Sequence, residues 1–257
     1  LCVLRGGGDL ATGVAWQLRR LRWPVVVLEL PEPLTVRRTV ALSTAVTEGE
    51  IEVDGLRAVR CGSANEAEAA ARSGVVAVLV APQLASLGCH PDVVVDARMA
   101  KRNLDTAIDD ADVVVALGPG FTAGLDCHAV VETMRGPDLG RVIRKGSAQP
   151  DTGTPAPLGG RSADRVLRAP AVGRVGWQCS IGDLVNEGQP IGEVGGVAIC
   201  APFTGVLRGA IRDGLEVPAG LKIGDVDPRC DTDACWKISD KAMAVGSGVR
   251  EAVLQLR

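Results

Sequence analysis

Residues 169–226 state one pattern twice. Ala169-Pro170, Gly173, Gly182, Val185, Gly188, Ile191-Gly192 and Val194 recur as Ala201-Pro202, Gly205, Gly214, Val217, Gly220, Ile223-Gly224 and Val226, without a gap, and Glu193 and Asp225 keep an acid in step. A repeat constrains a fold more than any composition does, because each copy is one supersecondary unit that cannot bury its apolar face alone. Two copies are too few for a solenoid. Strand-rich copies can interlock into one small pseudo-symmetric barrel, with glycine at the turns and Val or Ile filling the middle. Gly182 and Gly214 are then expected at equivalent turns.

The phrasing within each copy, APxxG followed by GDxVxxGQxIGEV, resembles the biotinyl/lipoyl-type barrel-sandwich hybrid. Carriers of that family hold their prosthetic group on a lysine at the hairpin tip between the two halves. Here the tip reads Val194-Gly195-Gly196-Val197-Ala198-Ile199-Cys200, with no lysine. The resemblance implies the fold and argues against biotin or lipoyl attachment. This module is expected over residues 161–230, behind a Pro-, Gly- and Thr-rich linker at 149–160.

The first 160 residues follow a different logic. Cys2-Val3-Leu4 reads as a strand, and Arg5-Gly6-Gly7-Gly8-Asp9 as a turn. Val14, Ala15, Leu18 and Leu21 recur at helical spacing, and Val25-Val26-Val27-Leu28-Glu29 forms a second strand. Gly6, Gly8 and Ala11 satisfy G-x-G-x-x-A, and Glu29 ends the second strand, where a carboxylate can accept from a ribose hydroxyl. Glycines let backbone approach a pyrophosphate, and the helix start presents free N–H groups to it. The same glycines also serve a simple tight crossing. Asp9 would repel a phosphate unless it caps the helix and faces away.

Further along, 51–53 with 56–59 reads as a hairpin and 64–72 as a helix. The runs 75–80, 92–96 and 112–117 read as buried strands, and 128–133 with 141–144 as a second hairpin, with a helix over 126–134 as the alternative. Apolar strands with almost no alternation, separated by helix-length segments, predict a mostly parallel sheet covered on both faces. The fold class expected is therefore α/β: a Rossmann-like domain over 1–160, a small all-β domain over 161–230, and a helical segment over 231–257 that packs on the body.

Ligands of such sheets bind beyond the carboxyl ends of the strands. There the sequence places Gly6, Gly7, Gly8 and Asp9, then Asp96 with Arg98, Lys101, Arg102 and Asn103, then Gly118-Pro119-Gly120 and Thr122. His128 is expected near this last loop. A phosphate-bearing anion is the natural occupant. Taken singly, Lys101-Arg102 also reads as a solvated helix face and Gly118-Pro119-Gly120 as an ordinary turn.

Composition narrows the partners. Aromatics are 2% of 257 residues, Tyr is absent and net charge is −3. The chain thus lacks the stacking platforms and basic runs of a nucleic-acid binder, and no apolar stretch approaches a membrane span. Eight cysteines are scattered without C-x-x-C, and the two histidines lie far from the 230/235 pair, so no metal site is expected. Without an export signal, a cytoplasmic protein with reduced thiols is expected.

Several long blocks, RGGGDLATGVAWQL, LELPEPLTVRRTVALS, DVVVDARMAKRN, LGPGFTAGLDCHAVVET and LKIGDVDPRCDTDACWKISDKAMAVGSGV, resemble the accessory protein of the selenium-dependent molybdenum hydroxylase system. The resemblance runs over residues 2–255. It implies a maturation role, with a selenium-dependent molybdenum hydroxylase as protein partner. The ligand implied is molybdenum cofactor or a nucleotide, small and phosphorylated. Two other functions stay open: an NAD(P)-dependent oxidoreductase using the glycine loop, and a thiol-dependent selenium or sulfur transferase. Homo-oligomerisation stays open as well.

Overall fold

A computed structural model describes residues 1–153 and 160–257. The contacts group them into unit 1 (Leu1–Pro33, Ala41–Asp151 and Ile238–Arg257) and unit 2 (Leu34–Val40 and Thr152–Lys237). The chain is an α/β protein, with one large, mostly parallel sheet and further antiparallel sheets. The middle of the expected linker, 154–159, lies outside the described residues. Residues 231–237, expected to go with the C-terminal helix, group instead with unit 2.

Unit 1 contains β1 (Cys2–Arg5), α1 (Asp9–Arg20), β2 (Val25–Glu29), α2 (Ala45–Glu48), β3 (Glu50–Val53), β4 (Leu56–Cys61), α3 (Ala64–Ser73), β5 (Val76–Val80), β6 (Val93–Asp96), β7 (Val113–Leu117), β8 (Thr122–Ala123), β9 (Ala129–Val131), β10 (Val142–Ile143), β11 (Gly146–Ser147) and α4 (Asp240–Leu256). The nine-stranded sheet has the order β10-β9-β7-β6-β1-β2-β5-β4-β3. Its interior pairs are parallel, and the β3–β4 and β9–β10 hairpins close its edges. β8 and β11 form a separate ribbon.

Side chains alternate across the strands, so Cys2 and Leu4 bury on one face with α1 and α4, and Val3 buries on the other with Ala67 and Ala71 of α3. Burial on both faces explains why these strands read as unbroken apolar runs.

α4 is the expected C-terminal helix. Ser239 caps it, its hydroxyl accepting from the Ala242 N–H at 3.1 Å. Ala242, Val245, Val249 and Val253 bury against the rest of unit 1, whereas Leu254 is exposed. Gly246 and Gly248, which look like interruptions in sequence, are points of close approach. A Cβ at Gly246 would lie 2.6 Å from the Gly13 carbonyl carbon, and one at Gly13 would lie 2.5 Å from that of Ala242. Gly13 thus serves the α1–α4 crossing.

Unit 2 contains β12 (Val166–Arg168), β13 (Gly173–Trp177), β14 (Leu184–Val185), β15 (Pro190–Val194), β16 (Val197–Cys200), β17 (Gly205–Ala210), β18 (Glu216–Val217) and β19 (Lys222–Asp227). Its sheets run β12-β19-β17-β14 and β16-β15-β13-β18. The repeat relates β12 to β16, β13 to β17, β14 to β18 and β15 to β19, and exchanging these partners turns one sheet into the other. Register follows: Val166↔Asp225 and Leu167↔Gly224 match Ala198↔Glu193 and Ile199↔Gly192. Each sheet mixes strands of both copies, and Val175, Val194, Leu207, Val226, Ile191 and Ile223 fill one shared core.

Residues 34–40 line β17: the Ala210 N–H donates to Val36 O at 2.9 Å and Arg38 Nε donates to Ala210 O at 2.8 Å. Gly209 leaves room for Val36.

Candidate functional site

In unit 1 the chain leaves β1 to build β2 on one side and later returns to place β6 on the other. The carboxyl ends of β1 and β6 therefore flank the topological switch point, where ligands of open α/β sheets bind. Gly6 follows β1 with φ +94°, and a Cβ there would lie 3.1 Å from Arg98 Cα, so the two loops touch at the switch.

Gly7 is committed internally. Its N–H donates to Glu29 Oε2 at 2.7 Å, and its carbonyl accepts from the Ser43 N–H at 2.8 Å. Glu29 also accepts the Leu30 N–H through Oε1 at 2.8 Å, and burial pushes its pKa up against these two bonds. The carboxylate expected to bind a ribose thus holds the glycine loop in shape.

Gly8 is different. It caps α1 with φ −67° and no side-chain cap, and nothing lies within 4 Å of where its Cβ would stand. The first turn of α1, opened by Asp9, thus has no side-chain cap and has room beside Gly8. Ala11 is fully buried at the helix–sheet contact.

Asp96 is no free acid at a rim. It is buried, and Arg98 Nη2 reaches its Oδ2 at 2.5 Å while the Thr106 hydroxyl donates at 2.7 Å. Buried Arg5 donates to Thr106 Oγ1 at 2.8 Å and Asp105 Oδ1 at 2.6 Å, and Arg98 Nη1 reaches the same Asp105 oxygen at 2.6 Å. Burial works against the Asp105 carboxylate, but the bonds and fields of Arg98 and Arg5 outweigh it and hold its pKa below the ordinary range. This network fastens residues 97–106, in which Met99 and Lys101 are held at φ +56° and +63°.

Gly120 corrects an expectation. The sequence suggests that it admits a ligand to the backbone, yet a Cβ there would lie 2.5 Å from Arg102 Cα at φ +104°. It serves loop-to-loop packing. Gly118 is similar, with Thr133 Oγ1 2.5 Å from its missing Cβ. Asn103 ties the loops together: its N–H donates to Gly120 O at 3.0 Å, and Nδ2 reaches Thr106 O at 2.7 Å and Asp126 Oδ1 at 3.2 Å. Lys101 Nζ pairs with Asp151 at 2.6 Å.

The structure brings together Gly6, Asp96, Lys101, Asn103, Gly118 and Gly120. It does not bring His128 to them. His128 Nδ1 accepts the Val114 N–H at 3.0 Å, near the start of β7, whereas the loop follows Leu117 at its end. A parallel β9 must begin at the amino edge of β7, and sequence proximity to the loop concealed that return. Thr122 sits in the β8–β11 ribbon, its hydroxyl 3.1 Å from that of Ser147.

Sequence reasoning missed Arg5, Asp105 and Thr106. An arginine closing the otherwise apolar run of β1 was the available signal. A separate cleft of about 380 Å³ beside β9 and β10 is lined by Glu132, Arg141, Arg144, Lys145, Ser147 and Gln149, among others. Burial pushes the Cys2 and Cys127 thiols up to about 12 and raises those of Cys61, Cys179 and Cys235. Among the described residues no helix is long and apolar enough to cross a membrane.

Comparison with known proteins adds similarity over the whole chain. All 257 residues are 48% identical to "Uncharacterized protein YqeB" of Escherichia coli (strain K12). The match covers 48% of that relative, so the chain spans about half its length. No protein-family model matches. A crystal structure of an aspartoacylase family protein from Mesorhizobium loti covers 88% of this chain and 83% of its own, at 14% identity and a TM-score of 0.29. That score is too low to carry fold or chemistry across.

Proposed function

We propose that the chain is an accessory or maturation factor for selenium-dependent molybdenum hydroxylases. It holds molybdenum cofactor, or a related phosphorylated or nucleotide-bearing ligand, beyond the carboxyl ends of β1, β6 and β7. In this reading unit 1 is Rossmann-like and unit 2 is a barrel-sandwich hybrid of biotinyl/lipoyl type. The exchange symmetry of the two small sheets supports the second assignment. Gly195 and Gly196 at the tip, in place of a carrier lysine, make it a docking module rather than a swinging arm.

The observation that carries the proposal is Gly8. A helix start without a side-chain cap, at the switch point of a parallel sheet and with room beside Gly8, fits the phosphate of such a ligand: first-turn N–H groups and the positive end of the helix dipole converge there. Lys101 on the neighbouring loop, paired with Asp151 and partly exposed, would supply a cation by exchanging that carboxylate for the phosphate. The bound group would supply its molybdenum centre, and this chain's residues would bind and orient it.

The oxidoreductase reading is weakened by Gly7, whose N–H a dinucleotide pyrophosphate would use and which Glu29 already holds. The transferase reading needs an accessible thiol of low pKa, and burial raises five of the eight.

The test is activation of the partner hydroxylase in a host lacking the accessory protein, with NAD(P)H titrated against the purified chain in parallel. Restored hydroxylase activity without saturable NAD(P)H binding is expected. Saturation at micromolar NAD(P)H without activation would make the chain an oxidoreductase.

A further inference from the structure

The repeat supplies unit 2 with an internal control. Arg208, Asp227 and Arg229 of the second copy stand where the first has Gly176, Gly195 and Val197. The first copy builds the same strand pattern without them, so the sheet does not need these charges to form.

The backbone also departs from symmetry at one of them. β13 pairs with β15 in regular register through Val175↔Val194, Gly176↔Glu193 and Trp177↔Gly192. The equivalent pairing of β17 with β19 shifts between Leu207 and Gly209, which makes Arg208 the extra residue of a bulge. Bulges re-aim side chains and cluster beside functional sites.

Arg208 itself is 7% exposed. Among the described residues its one polar contact is Nη1 to Asp227 Oδ2 at 3.3 Å, and its buried Nε meets no acceptor. Arg229 engages the same carboxylate more closely, with Nη2 2.6 Å from Oδ2 and Nε and the backbone N–H each 3.0 Å from Oδ1. Asp225 is engaged by Arg165 at 3.1 and 3.2 Å. Burial and the nearby charge of Arg37 disfavour the charged form of Arg208, against Asp227 and Asp225. A buried guanidinium whose Nε is unused, and which shares its one carboxylate with the more closely bound Arg229, has donors left for a further anionic acceptor.

We infer that Arg208, flanked by Arg229 and Arg37, forms a binding site in unit 2 for a tetrahedral oxyanion, either free phosphate or the phosphoryl group of a larger ligand. The planar fork of Arg208 matches two oxygens of such a group, and an anion there offsets the mutual repulsion of the arginines. The site is built from unit 2 alone and does not depend on the function proposed for unit 1.

Calorimetric titration of the whole chain with sodium phosphate, and separately with 5′-AMP, at constant ionic strength in chloride buffer, tests this. Saturable binding of phosphate identifies the free ion, and binding of AMP alone identifies a phosphoryl group on a larger body; both support the site. Arg208→Met should then weaken binding by about tenfold or more, as expected for losing charge-assisted hydrogen bonds. If that variant does not fold, Arg229→Gln decides, with weakened binding expected and unchanged affinity overturning the inference. A signal lost in Lys101→Ala but kept in Arg208→Met belongs to unit 1 and overturns it as well. So does the absence of saturable binding of either ligand to wild-type protein.

Discussion

Gly8 is a glycine that neither its backbone nor its neighbours require. Its φ of −67° suits any residue, and its missing Cβ faces nothing within 4 Å. Gly120, at φ +104° against the Arg102 backbone, is required by both. Substitution should separate the two roles. Gly8→Asp places a favourable cap on α1, worth a few tenths of a kcal/mol, while setting a negative charge where an anionic ligand would sit. The variant should match or exceed wild type in Tm and lose ligand binding by calorimetry. Gly120→Val should lower Tm by creating backbone strain and overpacking, at a cost of about 3 kcal/mol or more. Asp227 gives a pH signature. Burial works against its carboxylate, but the Arg229 bonds and the field of Arg208 outweigh it and hold its pKa below the ordinary value. A depressed pKa stabilises the fold above the unfolded-state value and is lost as pH falls through the folded one. Asp227→Asn should therefore be less stable at pH 7 by about 3 kcal/mol, the cost of breaking a buried pair. In urea unfolding at successive pH values that deficit should shrink below about pH 4.

At the scale of elements, α4 shows what a sequence conveys and what it conceals. Its period and its Ser239 cap are local, and they predict the helix within 240–256. Gly246 and Gly13 are far apart in the chain, so nothing local shows that each is small to admit the other. Gly246→Val should force α1 and α4 apart and cost about 3 kcal/mol or more in urea unfolding. A cost below about 0.5 kcal/mol, within the range of an ordinary surface change, would mean that the crossing is loose. The same division holds elsewhere. The apolar runs of β1, β2, β5, β6 and β7 and the unbroken repeat were legible because burial on both faces and internal symmetry leave direct traces. The clamp on Asp96 was not, because Thr106 returns to it from the far end of the following loop and Arg5 joins through Thr106 and Asp105 from the neighbouring strand. Nor was the assignment of residues 34–40 to unit 2, which rests on the room Gly209 leaves for Val36. His128 was misplaced because a parallel strand must return to the far edge before it begins, and the eleven residues between β7 and β9 give no sign of that journey.

The whole molecule combines a mostly parallel-sheet unit, in which the helix after β1 has no side-chain cap, with a β unit of repeated strands whose hairpin tip carries no lysine. In the proposed function, unit 1 carries a phosphorylated pterin or nucleotide on behalf of a hydroxylase. Mass spectrometry of small molecules released from the purified chain tests it most directly. The protein is produced in a host supplied with molybdenum and selenium, as wild type and as Gly8→Asp. A phosphorylated pterin or nucleotide should be released near one equivalent from wild type and be depleted in the variant. Release of none from wild type, or of equal amounts from both, would contradict the claim.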